Sequence, residues 1–350
     1  MTPSMQLLPE WAKQEAVIFA WPDLDTDWYR WLDDVRQVYL DIIQALNAAN
    51  TPVLLLVKAK EVAHCKTMLP ADAKVLLVPT QYNDTWVRDY GFLTCRSEQG
   101  LQPIEFTFNG WGEKFDARKD NEVNRTTLAK LCQLPLISID LVAEGGALEI
   151  DESGHLLSTQ FCLSNPKRNG DLSFERYTEI FKKALGASKV SIFEHGHLEG
   201  DDTDGHIDTL VRFTLGQGIV VQSAFNRPND AHFVGLAALV AECKAALPGH
   251  QVFELPLPEI YNAEGDRLPA SYANYLISNQ HVLCPIYQQP EDELAMAIMQ
   301  QAYPDFKIVA INCLPLVQQF GSLHCISMQV PENTLKADIV HRLNEGVSQL

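Results

Sequence analysis

The sequence predicts an α/β fold in which repeated hairpin–helix–strand units close into a five-bladed propeller with pseudo-fivefold symmetry. Three observations carry that expectation. Turn-forming residues separate paired apolar runs of strand length at four places. Each pair is followed by a helical stretch and a short buried-type strand. The unit recurs every ~50–65 residues with no Ser/Pro-rich linker between copies, the pattern of a radial array and not of separate domains.

The elements follow in order. Gly91–Cys95 pairs with Ile104–Phe108 across a polar loop ending at Gly100, and Gly145–Ile150 with His155–Gln160 across Ser153-Gly154. Thr209–Phe213 pairs with Ile219–Gln222 across Gly216-Gln-Gly218, and Tyr272–Ile277 with His281–Cys284 across Asn279-Gln280. Helices are expected near residues 120–133, 173–186, 229–246 and 291–303. The closing strands are Leu136–Val142, Lys189–Phe193, Gln251–Leu255 and Lys307–Ile311. A fifth unit is split between the ends, joining a strand over Leu323–Val330 to Ala16–Ala20, a helix near 28–49 and Val53–Val57. Residues 1–350 are thus expected to form one catalytic domain closed by that pairing.

Composition narrows the function. With 27 basic and 45 acidic residues the formal charge is −18, and 46% of residues are hydrophobic. Nucleic acid and anionic membranes are poor partners for such a surface, because phosphate binding needs a basic stripe. No apolar run reaches the length of a membrane span. The eight cysteines include no Cys-x-x-Cys pair, so neither a zinc ribbon nor a disulfide framework is expected. The opening stretch Met1–Trp11 has no basic-then-apolar leader pattern, and a reducing cytoplasm is the expected location. The chain is compatible with a homo-oligomer, whose state the sequence leaves open.

The chemistry-bearing residues are scattered, yet Asp89, Glu144, His206, Asp208, Asn274 and Cys325 all fall at or near the start of a hairpin's first strand. Equivalent positions in a radial array face one axis, so these residues should converge. Cys325, preceded by Gly321-Ser322 and His324, is the candidate nucleophile, and the other seven cysteines read as core. His206 and Asp208 are two apart, hence on one face if the segment is a strand. An imidazole there could act as general acid and base. Asp89 and Asp208 could each hold a planar guanidinium by paired hydrogen bonds, although an ion pair of Arg88 with Asp89 or Asp84 is a plain alternative. Glu144, before two glycines, could orient His206 or hold the substrate's inner nitrogen, and Trp86 could wall the substrate's methylene chain. An EF-hand register through Asp202 and Asp204 puts Gly200 and Val211 at required carboxylate positions and fails. A zinc site at His206-x-Asp208 lacks a third ligand nearby.

Six segments together, Asn83-Asp-Thr-Trp-Val-Arg-Asp-Tyr-Gly91, Phe108-Asn-Gly-Trp-Gly112, Glu144-Gly-Gly146, Asp204-Gly-His-Ile-Asp208, Ala270-Ser-Tyr-Ala-Asn274 and His324-Cys325, resemble the agmatine deiminase and bacterial-type peptidylarginine deiminase family of the guanidine-modifying (pentein) superfamily. The resemblance implies the five-bladed pentein fold. It also implies Cys325 as nucleophile, His206 as general acid/base, and Asp89, Glu144 and Asp208 as guanidinium-binding carboxylates, with Trp86, Trp111 and Asn274 beside the substrate. No metal or organic cofactor enters, and the implied reaction converts agmatine to N-carbamoylputrescine and ammonia through an amidino-cysteine, within polyamine synthesis. Alternatives are another guanidine, such as free or peptidyl arginine, or a guanidine-binding module without turnover. Free arginine would need a cation for its carboxylate, with Arg88, Lys114, Arg168 and Arg212 as candidates. The chain departs from the family at Gln318-Gln-Phe-Gly-Ser322, where a glycine run is usual.

Overall fold

The structure, a computed structural model, describes residues 5–350; residues 1–4, part of the stretch read for a leader, lie outside the described residues. Among the described residues the strands form five sheets, and every sheet holds the same three-strand core. Two strands run antiparallel, and a third then runs parallel to the second. The cores are Leu93–Ser97, Gly100–Thr107 and Ile137–Val142; Glu149–Ile150, His155–Thr159 and Lys189–Phe193; Val211–Thr214, Gly218–Gln222 and Gln251–Leu255; and Leu276–Ser278, His281–Ile286 and Lys307–Asn312. The fifth joins the two ends of the chain: Met328–Pro331 lies antiparallel to Gln14–Ala20, with Met328 opposite Ile18, and Gln14–Ala20 lies parallel to Val53–Val57. Val75–Pro79 and Ser348–Gln349, neither read from the sequence, extend that sheet.

A parallel third strand requires a crossover, and helices supply it. Phe174–Leu185 is representative. Its Ser173 side chain caps the Arg176 N–H, Gly186 ends it in a left-handed conformation, and Tyr177, Phe181, Ala184 and Leu185 form its buried stripe. Leu32–Ala48, Phe233–Ala246 and Asp292–Ala302 play the same part.

The expected helix over 120–133 is instead three short pieces, Asp120–Glu122, Val123–Thr126 and Leu128–Leu131. Its polar side chains face inward and satisfy loop groups. Asp120 accepts from the Asn83 N–H at 2.6 Å, Asn121 accepts from the Phe108 N–H at 2.8 Å, and Asn124 donates to the Tyr90 carbonyl at 2.7 Å. Such bonds compete with a regular helix.

A second correction concerns the strand starts. Asp89 lies on a one-turn helix, Val87–Tyr90, while Gly145–Ala147 and Ile207–Thr209 are 3₁₀ turns. Residues 323–326 also turn, closed by the Ser327 hydroxyl donating to the Leu323 and His324 carbonyls at 3.0 Å each, and only Met328–Pro331 is extended. The ladder therefore begins two or more residues after each motif. A turn directs neighbouring side chains to different sides, whereas a strand would alternate them between two faces only. No helix among the described residues is long and apolar enough to cross a membrane.

Candidate active site

The four turns bring the motifs together. Cys325, 7% exposed, is held from one side by Asn274, whose amide nitrogen donates to Sγ at 3.2 Å. Asn274 Oδ1 accepts from the His324 N–H at 3.0 Å, which fixes the orientation of the amide. Asp208 Oδ2 lies 3.7 Å from Sγ on another side. Burial, then Asp208 and Asp89, push the Cys325 thiol well above its ordinary value.

Asp89 is oriented by two donors, the Trp111 indole N–H to Oδ2 at 2.9 Å and the Gly146 N–H to Oδ1 at 3.0 Å. Arg88, its neighbour in sequence, takes no part, so the ion-pair alternative for Asp89 falls away. Trp111 is held at φ 57°, uncommon for a bulky residue, between Phe108 and Phe115, whose rings meet it edge-on at 5.0 and 5.5 Å. Burial raises the Asp89 carboxyl to about 6 against the pull of His206.

His206 Nδ1 lies 3.5 Å from Asp89 Oδ1, and Nε2 lies 3.7 Å from Glu144 Oε2. Burial works against a charged imidazole here, but Asp89, Cys162 and Glu144 together hold His206 well above its ordinary value. Its Nε2 has no hydrogen-bond partner among the described residues. Glu144 accepts from Arg168 Nε with both oxygens, at 2.9 and 3.0 Å. Burial opposes its ionisation, yet His206 and Arg168 keep it low.

The donors beside His206 that could share a metal are Glu144 and Cys162, all within 4.8 Å of one another. Arg168 already spans Glu144, so a metal there would compete with a guanidinium.

Asp208 is bound on one oxygen only. His324 Nδ1 lies 2.7 Å from Oδ2, while Oδ1 is buried without a partner among the described residues. Burial raises the Asp208 carboxyl and is outweighed by His324, His206 and Arg212, leaving it low. An unpaired buried carboxylate oxygen is costly and marks where a donor would bind.

Above these residues opens a cavity of about 320 Å³ with Cys325 and Asp89 at its floor. Trp86, Trp111, Phe115 and Phe320 wall it, and Trp86 packs so close to Gly321 that a Cβ there would meet the ring at 2.2 Å. Eight of the lining residues are aspartates, and none is Lys, Arg or His. His206, Glu144 and Asp208 lie beneath the floor, each 1% exposed or less. Asn274 reaches the sulfur and does not line the cavity. The four candidate cations are engaged elsewhere: Arg88 with Glu10, Lys114 with Asp204, Arg168 with Glu144 and Asp204, and Arg212 with Glu10 and Glu149.

Residues 6–331 match the model of the Porphyromonas-type peptidyl-arginine deiminase family. The chain belongs to that family. Among curated relatives of this deiminase, a Pectobacterium atrosepticum protein named "Putative agmatine deiminase" is 30% identical over 92% of this chain and 93% of its own length. Among solved structures, the Porphyromonas gingivalis "Putative Arginine Deiminase" is 38% identical, with a TM-score of 0.88 over 95% of this chain and 100% of that one. A substrate-bound agmatine deiminase of C. jejuni is 28% identical, with a TM-score of 0.87 over 95% and 98%. The fold is accordingly the α/β pentein fold expected, and the protein is a hydrolase of guanidine or amidine C–N bonds.

Sequence reasoning missed the part that two groups play in this cluster. Glu10 is brought beneath His324 from the N-terminal loop, and Arg168 clamps Glu144. No local pattern marks either. Arg168 was legible only as a basic residue near the site.

Proposed function

We propose that this deiminase hydrolyses agmatine to N-carbamoylputrescine and ammonia. The observation that carries the reading is the cavity lined by eight aspartates and no basic side chain, with a thiol at its floor. Agmatine carries a guanidinium at one end and an ammonium at the other, so both ends suit an anionic cavity. A substrate carboxylate would be desolvated there against like charge.

The chemistry follows from the residues. Asp89 and the bare Oδ1 of Asp208 accept from opposite edges of the guanidinium, keeping it charged and its central carbon electrophilic. In the empty site two carboxylates hold the thiol protonated. A bound cation offsets them, so substrate arrival promotes loss of the thiol proton. Thiolate sulfur attacks the central carbon, and the C–N bond to one terminal nitrogen breaks as His206 gives that nitrogen a proton, releasing ammonia. The amidino-thioether on Cys325 is then attacked by water, from which His206 takes a proton. C–S cleavage returns the thiol and leaves the ureido product. Water in and ammonia out balance the reaction.

Ammonia release from agmatine, free arginine and a blocked arginine peptide, measured in parallel, tests the reading. Turnover confined to the arginine compounds, or none with any guanidine, overturns it.

A further inference from the structure

His324 lies between two carboxylates, 2.7 Å from Asp208 Oδ2 through Nδ1 and 2.7 Å from Glu10 Oε1 through Nε2. Glu10 is a hub of donors. Besides His324 it accepts from Arg88 Nη1 at 3.0 Å, from Gln329 Nε2 at 3.1 Å and from Arg212 Nη2. Two guanidinium groups on one carboxylate keep it ionised, and an ionised carboxylate only accepts. The His324 Nε2 therefore carries a hydrogen. Its Nδ1 faces a carboxylate oxygen at 2.7 Å, a distance that two lone pairs would not hold. A proton shared between Nδ1 and Oδ2 would account for that contact.

We infer that Glu10 is a positioning residue for the deiminase reaction: it fixes His324 so that a proton shared with Asp208 anchors Oδ2 and leaves Oδ1 bare for the substrate guanidinium. This deepens the reading of Asp208 as a guanidinium-binding carboxylate and rests on it. Charged groups face His324 from every side. Glu10 comes from the N-terminal loop, Arg88 from the Val87–Tyr90 turn, Arg212 from the strand Val211–Thr214 with Glu149 behind it, and Asp208 from its own turn with Cys325 beyond. Burial, Arg212 and Arg88 draw His324 toward the neutral imidazole and leave it below its ordinary value, against the opposition of Glu10 and Asp208. Removing the charge of Glu10 removes part of that opposition, so the shared proton should leave at lower pH.

The test combines kinetics with the histidine ring itself. In Glu10→Gln, the alkaline limb of kcat/KM for agmatine should move down by about one pH unit, the effect of one opposite charge at hydrogen-bonding distance. Glu10→Asp, which keeps the charge, should leave the limb in place. In substrate-free wild type labelled with ¹⁵N-histidine, the His324 Nε2 should stay protonated across the working pH range while the Nδ1-linked proton titrates. A loss of activity in Glu10→Gln that is equal at every pH, no loss at all, or an unprotonated Nε2 in wild type would overturn the proposal. Should Glu10→Gln fail to fold, the wild-type spectrum alone decides. Because that spectrum needs no substrate, it separates the two failures: a protonated Nε2 without agmatine turnover sinks the functional reading, and an unprotonated Nε2 sinks this one.

Discussion

The Gly146 N–H donates to Asp89 Oδ1 at 3.0 Å, and the space beside its α-carbon is where three site residues meet. A Cβ at Gly146 would lie 2.7 Å from Asp89 Oδ1, 2.8 Å from His206 Nδ1 and 3.1 Å from Asp208 Oδ2. Gly146→Ala should thus displace His206, the proposed acid/base, and the proposed clamp carboxylates Asp89 and Asp208 at once. We expect a fall in kcat of at least about 100-fold, the usual cost of ångström-scale misplacement, with a melting temperature close to wild type. Unchanged kcat would mean that these side chains are not in their working positions.

Cys325→Ser should abolish turnover and preserve the fold, because a hydroxyl without a strong base beside it is a poor nucleophile. Cys284→Ser and Cys313→Ser should retain most activity, since both thiols are buried away from the cavity. Mass spectrometry of a quenched wild-type reaction should locate an amidino adduct on the peptide carrying Cys325, and an adduct elsewhere would refute the assignment.

Asp89→Asn and Asp208→Asn keep shape and remove charge from either edge of the guanidinium site. Each should cost roughly 2–5 kcal/mol in kcat/KM, as for one partner lost from a buried charged pair. Near-normal kinetics in both would leave the carboxylates a structural role only.

Substrate choice follows from the cavity lining. Agmatine should exceed free arginine in kcat/KM by about 100-fold or more at equal salt and pH, from an unmatched carboxylate in an anionic cavity. Comparable values would require Arg88, Lys114, Arg168 or Arg212 to leave its carboxylate partner and turn toward the substrate.

The pH dependence has a definite sign. Burial raises Asp84, Asp120 and Asp202 from 3.8 to about 7, and all three line the cavity. They ionise as the pH climbs through about 7, so KM for agmatine, the proposed substrate, should fall across that interval. Stability moves oppositely. Folding favours the protonated form of these groups, an advantage fully present below their unfolded value of about 4 and lost as pH rises through about 7. Asp120→Asn should therefore raise the melting temperature relative to wild type more at pH 8 than at pH 5.5. An equal difference at both values would mean that Asp120 titrates normally.

Much of this was legible along the chain, and the exceptions have one cause. Lys189–Phe193 and Gln251–Leu255 are strands as expected, because their β-branched and aromatic residues describe a strand locally, although most of their residues are half-buried or exposed. The motif residues are different. Asp89, His206 and Asp208 look like strand openings by position in the repeat, yet each sits on a turn held by bonds to distant segments, such as the Arg88 N–H to the Cys325 carbonyl at 3.2 Å. Convergence of the motifs could be read from the repeat. The partners beneath them could not, since Glu10 meets His324 across 314 positions of sequence.

The strand that joins the two ends of the chain begins three residues after Cys325, where Met328 pairs with Ile18. The proposed nucleophile and the pairing of the chain's two ends are thereby delivered by the same late stretch of chain. A nascent polypeptide already carrying Asp89, Glu144, His206 and Asp208 has no Cys325 beside them until the segment that pairs with the N-terminal strand has been made. On the proposed role of Cys325, a chain stopped before this segment would be both unpaired at its ends and inactive.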